Sequence, residues 1–259
     1  MLSARPLLIA LLFLLTACGE APPARQDWQH PEVTAVYPLR PGTAWVAQSS
    51  EWKDFAAGRF HDATDYIRCR AMHESGPFST DCIENRREPG SWAVVLDIDE
   101  TVLTNIEYHR MLDRKRVPFT PETWRDWVEQ RSAVPVPGAL AFIERVNSLG
   151  GHVVFVTNRR SYEEDATIDN LARIGLVKGR DYAFILTHTW PDGDKRKDAR
   201  FIEAERRLSE GKHHSVRIIA YIGDQWTDKP STLPHDAVFF CIPQGNLYGK
   251  PCELEGVAQ

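Results

Sequence analysis

Three segments of the chain are apolar runs rich in β-branched residues, and each ends in polar side chains. They lie at residues 92–96, 151–159 and 216–224. Apolar runs without a polar–apolar alternation predict strands that are buried on both faces of a parallel sheet. Two shorter apolar runs, at 183–187 and 237–242, bring the predicted sheet to about five strands.

Helical segments alternate with these strands. Residues 45–72 have a helical pattern whose aromatic side chains we expect to pack on the core, and Pro121 and Pro137 each stand where a helix begins. Trp124 and Trp127 lie three residues apart on one helix face and are also expected in the core. The alternation predicts an α/β fold with a three-layer parallel sheet.

Composition and charge restrict the class of protein. A chain of 259 residues with 42% hydrophobic residues is long enough to bury a sizeable core. The formal net charge of −5 argues against a nucleic acid polymer as partner, because such a partner requires a basic stripe. A local basic cluster at 195–200 has two interpretations: a pocket for one phosphate group, or the solvated face of a helix.

The N-terminus has the pattern of an export signal. Arg5 precedes an apolar stretch at 7–15, and small residues follow it. This pattern predicts a signal peptide over residues 1–17, which is too short for a transmembrane span. The sequence Leu15-Thr-Ala-Cys18-Gly19 resembles the bacterial lipobox.

Cleavage before Cys18 and acylation of its thiol would anchor the mature chain to a membrane. Gly19, rather than Asp, resembles the rule that sorts lipoproteins to the outer membrane, so we expect a lipid-anchored outer-membrane protein that faces either the periplasm or the surface. The alternative is a plain signal peptide that leaves Cys18 free. Prolines recur between residues 19 and 44, which predicts an extended tether over 18–44.

Four further cysteines are present, Cys69, Cys82, Cys241 and Cys252. An even number in an exported chain predicts two disulfides, for which three connectivities exist. Proximity in sequence favours Cys69–Cys82 and Cys241–Cys252. A zinc site and free buried cysteines are the alternatives, but no Cys-x-x-Cys pair is present.

The first apolar run ends in two carboxylates, Asp97 and Asp99, and Thr101 adds a hydroxyl. In an open α/β sheet the carboxyl end of a strand opens into the ligand crevice. If the backbone stays extended, side chains two residues apart point to the same side. Two close carboxylates favour Mg²⁺ or acid–base chemistry, and an Asp is also a nucleophile in phosphoryl transfer. For this short motif alone, a solvated turn is the alternative.

The second and third runs also end in groups suited to phosphate or metal. Thr157-Asn158-Arg159 supplies a hydroxyl, an amide and a guanidinium, and the capping-box spacing of Ser161 and Glu164 predicts that a helix begins there. The third run ends in Gly223-Asp224, with a further carboxylate at Asp228. Three strands that all end in such groups point to one phosphate or metal site.

These motifs resemble those of the haloacid dehalogenase superfamily, in the same order and over roughly residues 45–250. They are Asp97-x-Asp99-x-Thr101, Thr157-Asn158-Arg159, Lys197-x-x-Arg200-Phe201 and Gly223-Asp224-x-x-x-Asp228. The sequence Leu-Asp-Ile-Asp-Glu-Thr-Val-Leu, followed by Val-Thr-Asn-Arg, resembles the motifs of the class C (subfamily IIIB) bacterial acid phosphatases, which are often surface lipoproteins. The resemblance implies a Rossmann-like core with a small helical cap.

The resemblance also implies a mechanism. Asp97 would attack the phosphorus atom, and as an ordinary Asp it would be ionised near neutral pH without a base. Asp99 would protonate the leaving alcohol and then deprotonate the water that hydrolyses the aspartyl-phosphate. Mg²⁺ would be held by Asp97, the backbone carbonyl of Asp99, Asp224 and Asp228.

Three residues would bind the phosphoryl oxygens: Thr157, Asn158 through its backbone, and Lys197. Lys195 is the alternative lysine, because only the spacing to Arg200 favours Lys197. Thr101 would order the loop after the nucleophile.

The expected function is that of a Mg²⁺-dependent acid phosphatase for small phosphomonoesters, nucleoside 5′-monophosphates among them. Tyr248 is a candidate to stack on the substrate, although a tyrosine packed on the surface is the alternative. One rival function is phosphotransfer to an alcohol on the same scaffold. Another is a ligand-binding surface lipoprotein without catalysis, which the intact Asp97 and Asp99 disfavour.

We expect four parts in the chain: the signal peptide at 1–17, the tether at 18–44, an N-terminal helical cap segment at 45–90, and the haloacid dehalogenase-like core at 91–259. A polar stretch at 208–215 departs from the family pattern, as does the short chain after Asp228. These departures leave the substrate range and the quaternary state open, with a homodimer as one option.

Overall fold

The computed structural model of the protein describes residues 37–72, 87–189, 195–248 and 251–252. The predicted signal peptide, Cys18 and Cys82 lie outside these ranges, as does most of the predicted tether. The division into the four predicted parts therefore stays a prediction.

The described residues form seven strands: β1 (Trp92–Leu96), β2 (Leu103–Thr104), β3 (Val134–Pro135), β4 (His152–Arg160), β5 (Ile185–His188), β6 (Arg217–Gly223) and β7 (Val238–Cys241). Five of them make a parallel sheet in the order β5-β4-β1-β6-β7, and β2 pairs with β3 in a small antiparallel ribbon. The predicted parallel α/β fold is confirmed. The two outer strands differ from their predicted ranges by one or two residues at each end.

Seven helices accompany these strands within the same residues: α1 (Pro41–Gln48), α2 (Ser50–Met72), α3 (Ile106–Lys115), α4 (Pro121–Gln130), α5 (Ala139–Ser148), α6 (Glu164–Arg173) and α7 (Asp198–Ser209). No helix among them has both the length and the apolar composition of a membrane span.

Apolar side chains cover both faces of the sheet, which explains why its strands have no polar alternation. All five residues of β1 are buried. On one face Phe201 and Leu208 of α7 pack with Val95 and Val154. On the other face a larger cluster joins β1 to α2, α4, α5 and α6. Burying a side chain such as Phe201 contributes about 2 kcal/mol relative to exposing it.

The helical segment predicted at 45–72 is confirmed as α1 and α2. The ring of Phe60 lies 5.6 Å from that of Phe142 in α5, and Tyr66 meets Phe240 of β7 edge-on at 5.9 Å. Trp52, Phe60 and Tyr66 therefore pack on the core, as expected from the sequence. The expectation is wrong for Phe55, which is 41% exposed and lies beside Trp45 of α1.

The prediction of an extended tether up to residue 44 is wrong at its end, because α1 already begins at Pro41. The preceding residues are held to α3: Arg40 donates its backbone N–H to Asp113 Oδ2 at 2.8 Å, and the Tyr37 N–H donates to the Arg114 carbonyl at 3.3 Å. Pro41 at the first helical position suits this start.

Two predicted helix starts are shifted. The helix expected from Pro137 begins at Ala139, because Gly138 takes a left-handed conformation (φ 91°) and a Cβ atom there would press on Phe60. The capping pair is not Ser161 and Glu164. A short 3₁₀ turn over Ser161–Glu163 comes first, and the Glu163 carboxylate accepts the Arg160 N–H at 2.7 Å.

The predicted Cys241–Cys252 disulfide is present. The Cys252 N–H donates to the carbonyl of Asp224 at 3.1 Å. The disulfide therefore holds Cys252 at the end of β7, and the hydrogen bond holds it to the loop after β6. Because Cys82 lies outside the described residues, the Cys69–Cys82 pairing stays a prediction.

Candidate active site

The carboxyl ends of three adjacent strands converge at one edge of the sheet. β1 lies between β4 and β6, and Leu96 is in register with Phe155 and Ile222. This register brings Asp97, Thr157 and Asp224 together. The strand conformation ends at Leu96 and the chain bends at Ile98, so the extended backbone assumed for Asp97 to Asp99 is not observed, yet both carboxylates line the same cavity.

Three buried carboxylates form a cluster at this edge. Asp97, Asp224 and Asp228 each present an oxygen, and these atoms all lie within 4.8 Å of one another. Burial raises the pKa of Asp97 to about 7, Lys197 acts against this rise, and Asp228 adds to it. Burial, and after it the nearby charges of Asp228 and Asp97, raise the pKa of Asp224 well above its ordinary value. Asp97 is therefore not the ordinary, readily ionised Asp that we predicted.

The cluster fits a divalent cation. The Oδ2 atom of Asp224 is buried and has no hydrogen-bond partner among the described residues. Its Oδ1 atom accepts from the Thr101 hydroxyl at 3.5 Å, so Thr101 contacts the cluster, while its predicted role in ordering the loop after Asp97 stays a prediction. A hard cation would neutralise the like charges and occupy the unpaired oxygen.

Lys197 is the lysine that the fold delivers to this cluster. Its Nζ atom lies 2.5 Å from Asp97 Oδ1 and 2.6 Å from Asp228 Oδ1, and the side chain is 1% exposed. Burial acts to lower the pKa of Lys197, but Asp228 and Asp97 outweigh it and the pKa is raised. Lys195 is exposed and lies at the cavity wall away from these contacts.

Asp228 is fixed by the backbone as well as by Lys197. Its Oδ2 atom accepts the N–H groups of Asp224 at 3.0 Å and Gln225 at 2.9 Å. Gly223 makes this approach possible, because a Cβ atom on Gly223 would overlap the Asp228 side chain. The glycine of the Gly-Asp motif thus has a steric role.

The turn that carries Thr157 and Asn158 is held by Arg200. The Arg200 guanidinium donates to the Thr157 carbonyl and, at 2.7 Å, to Asn158 Oδ1. Thr157 is fully buried, and its hydroxyl oxygen accepts the Arg159 N–H at 3.1 Å. In the sequence Arg200 is only a spacing marker for Lys197, whereas its contacts in the structure give it a role in shaping this turn.

Asp99 lies against Arg159, which the sequence had grouped with phosphate ligands. Arg159 Nη2 donates to Asp99 Oδ1 at 2.7 Å, and Asn105 Nδ2 donates to the same oxygen at 2.8 Å. The neighbouring Glu100 has a left-handed backbone (φ 56°), and its carboxylate accepts the Asn105 N–H at 2.6 Å. Burial raises the pKa of Glu100 to about 8, and Asp99 adds to this rise.

A cavity of about 1050 Å³ opens from these groups. Its lining combines Asp97, Asp99, Asp228 and Lys197 with an apolar and aromatic wall that includes Leu112, Val117, Phe119, Trp124 and Leu247. Trp124 is 9% exposed. It is therefore both a core residue, as predicted, and part of the wall, which the sequence pattern did not indicate.

Tyr248 lines the cavity and is not packed on the outer surface. Its ring meets that of His109 edge-on at 4.7 Å and that of Trp124 at 6.1 Å. His109 is 2% exposed, and neither ring nitrogen has a partner among the described residues. Burial lowers the pKa of His109 to about 4, and Arg40 adds to the lowering. No sequence signal had singled out His109.

Comparison with known proteins identifies the family. The model of the HAD superfamily, subfamily IIIB (acid phosphatase), matches residues 50–246. The chain belongs to this subfamily. The resemblance seen in the ordered motifs is thereby confirmed at the level of the subfamily, and the lipoprotein type stays a prediction.

Several relatives are known by sequence. Over 144 residues the chain is 28% identical to acid phosphatase 1 of Solanum lycopersicum, a match that covers 52% of this chain and 50% of that protein. Over 141 residues it is 26% identical to vegetative storage protein 1 of Arabidopsis thaliana, covering 54% of this chain and 50% of that protein. The chain spans about half the length of these curated relatives.

The subfamily IIIB fold is also seen in a solved structure. The class C acid phosphatase from Bacillus anthracis superposes with a TM-score of 0.60 at 23% identity, over 80% of this chain and 84% of that one. A second structure of that enzyme, with tungstate bound, superposes with a TM-score of 0.56. At this identity the likeness establishes the fold.

Proposed function

We propose that the protein is a Mg²⁺-dependent acid phosphatase that hydrolyses small phosphomonoesters through an aspartyl-phosphate on Asp97. The observation that carries the proposal is the buried cluster of Asp97, Asp224 and Asp228 with the Lys197 ammonium 2.5 Å from Asp97. The subfamily that the chain belongs to, and the relative named acid phosphatase 1, support it.

In the first step a carboxylate oxygen of Asp97 forms a bond to phosphorus, and the bond from phosphorus to the substrate alcohol breaks. Asp99 gives its proton to the departing alkoxide oxygen. In the second step Asp99 takes a proton from water, the hydroxide oxygen bonds to phosphorus, and the bond to Asp97 breaks. Phosphate is released, and Asp99 regains its proton.

The surroundings of Asp97 determine its readiness to react. Burial raises its pKa to about 7 even though Lys197 acts against the rise, so the nucleophile depends on positive charge beyond that of Lys197 to be ionised in mildly acidic solution. Mg²⁺, held by Asp97, the Asp99 carbonyl, Asp224 and Asp228, would neutralise the remaining carboxylates and withdraw charge from the phosphoryl oxygens.

The phosphoryl oxygens would lie between Thr157, the backbone of Asn158 and Lys197. Donors that are fixed before the substrate arrives stabilise the charge that develops in phosphoryl transfer. Arg200 fixes the turn through its two contacts, so the donors need little reorganisation.

The aromatic wall suggests the substrate class. Tyr248 and Trp124 present rings in a cavity that is larger than a phosphate group requires. Flat aromatic groups stack on such rings. We include nucleoside 5′-monophosphates among the substrates for this reason.

The first prediction tests the proposed chemistry. Replacing Asp97 with Asn removes the nucleophile, so we expect the kcat for an aryl phosphate to fall at least about 1000-fold. Activity of the wild type should also disappear when a chelator removes the metal and return with Mg²⁺. The measurement is phosphate release at several pH values.

Asp62→Asn is the matched control, because Asp62 lies on the surface of α2 beside Arg59. It should retain wild-type activity. Near-normal turnover by Asp97→Asn, with its fold intact by circular dichroism, would show that the aspartyl-phosphate mechanism is wrong.

The proposed location is the outer membrane. The support is the lipobox-like sequence ending in Cys18, followed by Gly19. Acyl chains on this thiol would hold the enzyme at the membrane surface.

A further inference from the structure

Arg159 is the most completely bound cation near the reacting groups. Its side chain is 1% exposed. Nε lies 3.0 Å from Asp99 Oδ1 and 3.1 Å from Oδ2, while Nη2 lies 2.7 Å from Oδ1. This arrangement is a two-nitrogen clamp on one carboxyl group, a geometry that arginine forms and lysine does not.

Further hydrogen bonds fix the Arg159 guanidinium on the side away from Asp99. Arg159 Nη1 donates to the Thr167 hydroxyl at 3.0 Å, and that hydroxyl donates to the Glu163 carbonyl at 2.7 Å. Nη2 also lies 3.5 Å from Asn105 Oδ1, which accepts the Trp127 Nε1–H at 2.8 Å. The guanidinium is therefore fixed by residues of α6, α4 and the loop after β2, and its N–H groups are directed to protein oxygens.

The two oxygens of Asp99 are treated differently. Oδ1 accepts from Arg159 Nε, from Arg159 Nη2 and, at 2.8 Å, from Asn105 Nδ2. Oδ2 accepts one contact, the longer one from Nε at 3.1 Å. Because a carboxylate oxygen has only two lone pairs, Oδ1 is saturated, whereas Oδ2 retains capacity for a proton.

We propose that Arg159 is a positioning residue that holds Asp99 through Oδ1 and thereby presents Oδ2 as the oxygen that exchanges the proton with the leaving alcohol. The inference rests on the proposed function, in which Asp99 is the acid. It assigns Arg159 to the proton transfer and not to phosphate binding. The value of such positioning is geometric, because proton transfer requires the donor within hydrogen-bond reach of the departing oxygen.

The test uses the leaving group. An alkyl phosphate needs a proton on its departing oxygen, whereas 4-nitrophenyl phosphate releases a stable anion. We compare kcat/KM on both substrates, since this ratio covers only the steps up to the release of the alcohol. Arg159→Lys keeps the charge but loses the clamp, and should lower kcat/KM at least about 100-fold on the alkyl phosphate and less than about 10-fold on the aryl one.

A second readout follows from the second step. With Asp99 misplaced, hydrolysis of the aspartyl-phosphate is also slowed, so Arg159→Lys should show a rapid burst of nitrophenol followed by a slow steady rate. Arg180→Lys, an exposed arginine paired with Asp181, is the matched control and should leave both substrates unchanged.

If Arg159→Lys does not fold, Thr167→Val is the second variant. It removes the support at Nη1 together with the bond to the Glu163 carbonyl, and it should lower kcat/KM a few fold more on the alkyl phosphate than on the aryl phosphate. An equal loss on both substrates, without a burst, would give Arg159 a merely structural role and overturn the inference. A wild type inactive on both substrates would instead overturn the proposed function, so the two failures are distinguishable.

Discussion

At the residue scale, burial acts in opposite directions on the acids and the base of the cavity. It raises the pKa of Asp97 to about 7 and lowers that of His109 to about 4, because it disfavours the charged form of each. Lys197 counteracts the effect at Asp97, whereas Arg40 reinforces it at His109. His109 therefore stays neutral over most of the acidic range, and Asp97 needs further positive charge beside it to ionise there.

The second prediction concerns the pH dependence of stability. The pKa of His109 is about 4 in the folded protein against an ordinary value of 6.5. Between these two values the unfolded chain binds a proton that the folded protein does not, so the free energy of unfolding falls as the pH falls. From about pH 7.5 to about pH 5 the loss from this group is about 2 kcal/mol.

His109→Phe keeps the ring that packs on Tyr248 and removes the titration. Its thermal midpoint should therefore decrease less than that of the wild type over the same pH range. His61→Phe, a change at a largely exposed histidine, is the control and should follow the wild type. Identical pH dependence for His109→Phe and the wild type would contradict the assignment.

The third prediction concerns Tyr248, whose ring lines the cavity and contacts that of His109. Tyr248→Ala should lower kcat/KM for a nucleoside 5′-monophosphate about 10-fold, because a stacking surface is lost. A simple alkyl phosphate should be affected less. Tyr248→Phe keeps the ring and should resemble the wild type. An equal loss on both substrates, or none on either, would remove Tyr248 from substrate binding.

At the scale of elements, the end of each strand determines what its side chains can reach. β6 ends in Gly223 because Asp228, five residues later, folds back against it. β1 ends at Leu96, and the left-handed Glu100 turns the chain so that Asn105 meets Asp99. The short loops after these strands thus determine where the side chains of Asp228 and Asp99 lie relative to Asp97.

The fourth prediction tests this close approach. Gly223→Ala should push Asp228 away from Lys197, because β6 is held between β1 and β7 and cannot move. We expect kcat to fall at least about 100-fold, with a loss of about 1 to 3 kcal/mol in stability.

Gly58→Ala is the control for this change. Gly58 lies exposed in α2 with open space around it, and alanine should stabilise the helix there by up to about 1 kcal/mol. Unchanged turnover in Gly223→Ala would show that the contact between Gly223 and Asp228 is not needed for the reaction.

The structure shows which parts of the site could be predicted from the sequence and which could not. The convergence of Asp97, Thr157 and Asp224 followed from apolar runs and the rules of parallel sheets. The pairing of Arg159 with Asp99 did not, because it depends on a bend at Ile98 and on side-chain directions that no periodicity encodes. His109 was missed for the same reason, since a helix pattern does not indicate which residue of α3 faces a cavity.

At the scale of the whole molecule, the fold and its location are separate questions. The fifth prediction is that Cys18→Ser, expressed in a bacterial host, moves the protein from the membrane fraction to the soluble periplasm. Activity per molecule should be unchanged, which serves as the internal control. Unchanged partition between the fractions would contradict a lipid anchor at Cys18.

One hydrogen bond joins residues from nearly opposite ends of the described chain. Trp52 Nε1 donates to the Pro243 carbonyl at 2.8 Å across 191 residues of chain, in the loop that leads to Tyr248. At a translation rate of about 5 to 20 residues per second, the partner of Trp52 appears about 10 to 40 s later. Tyr248, which lines the cavity, follows Pro243 in the chain, so the cavity cannot be complete until this last part of the chain has been synthesised.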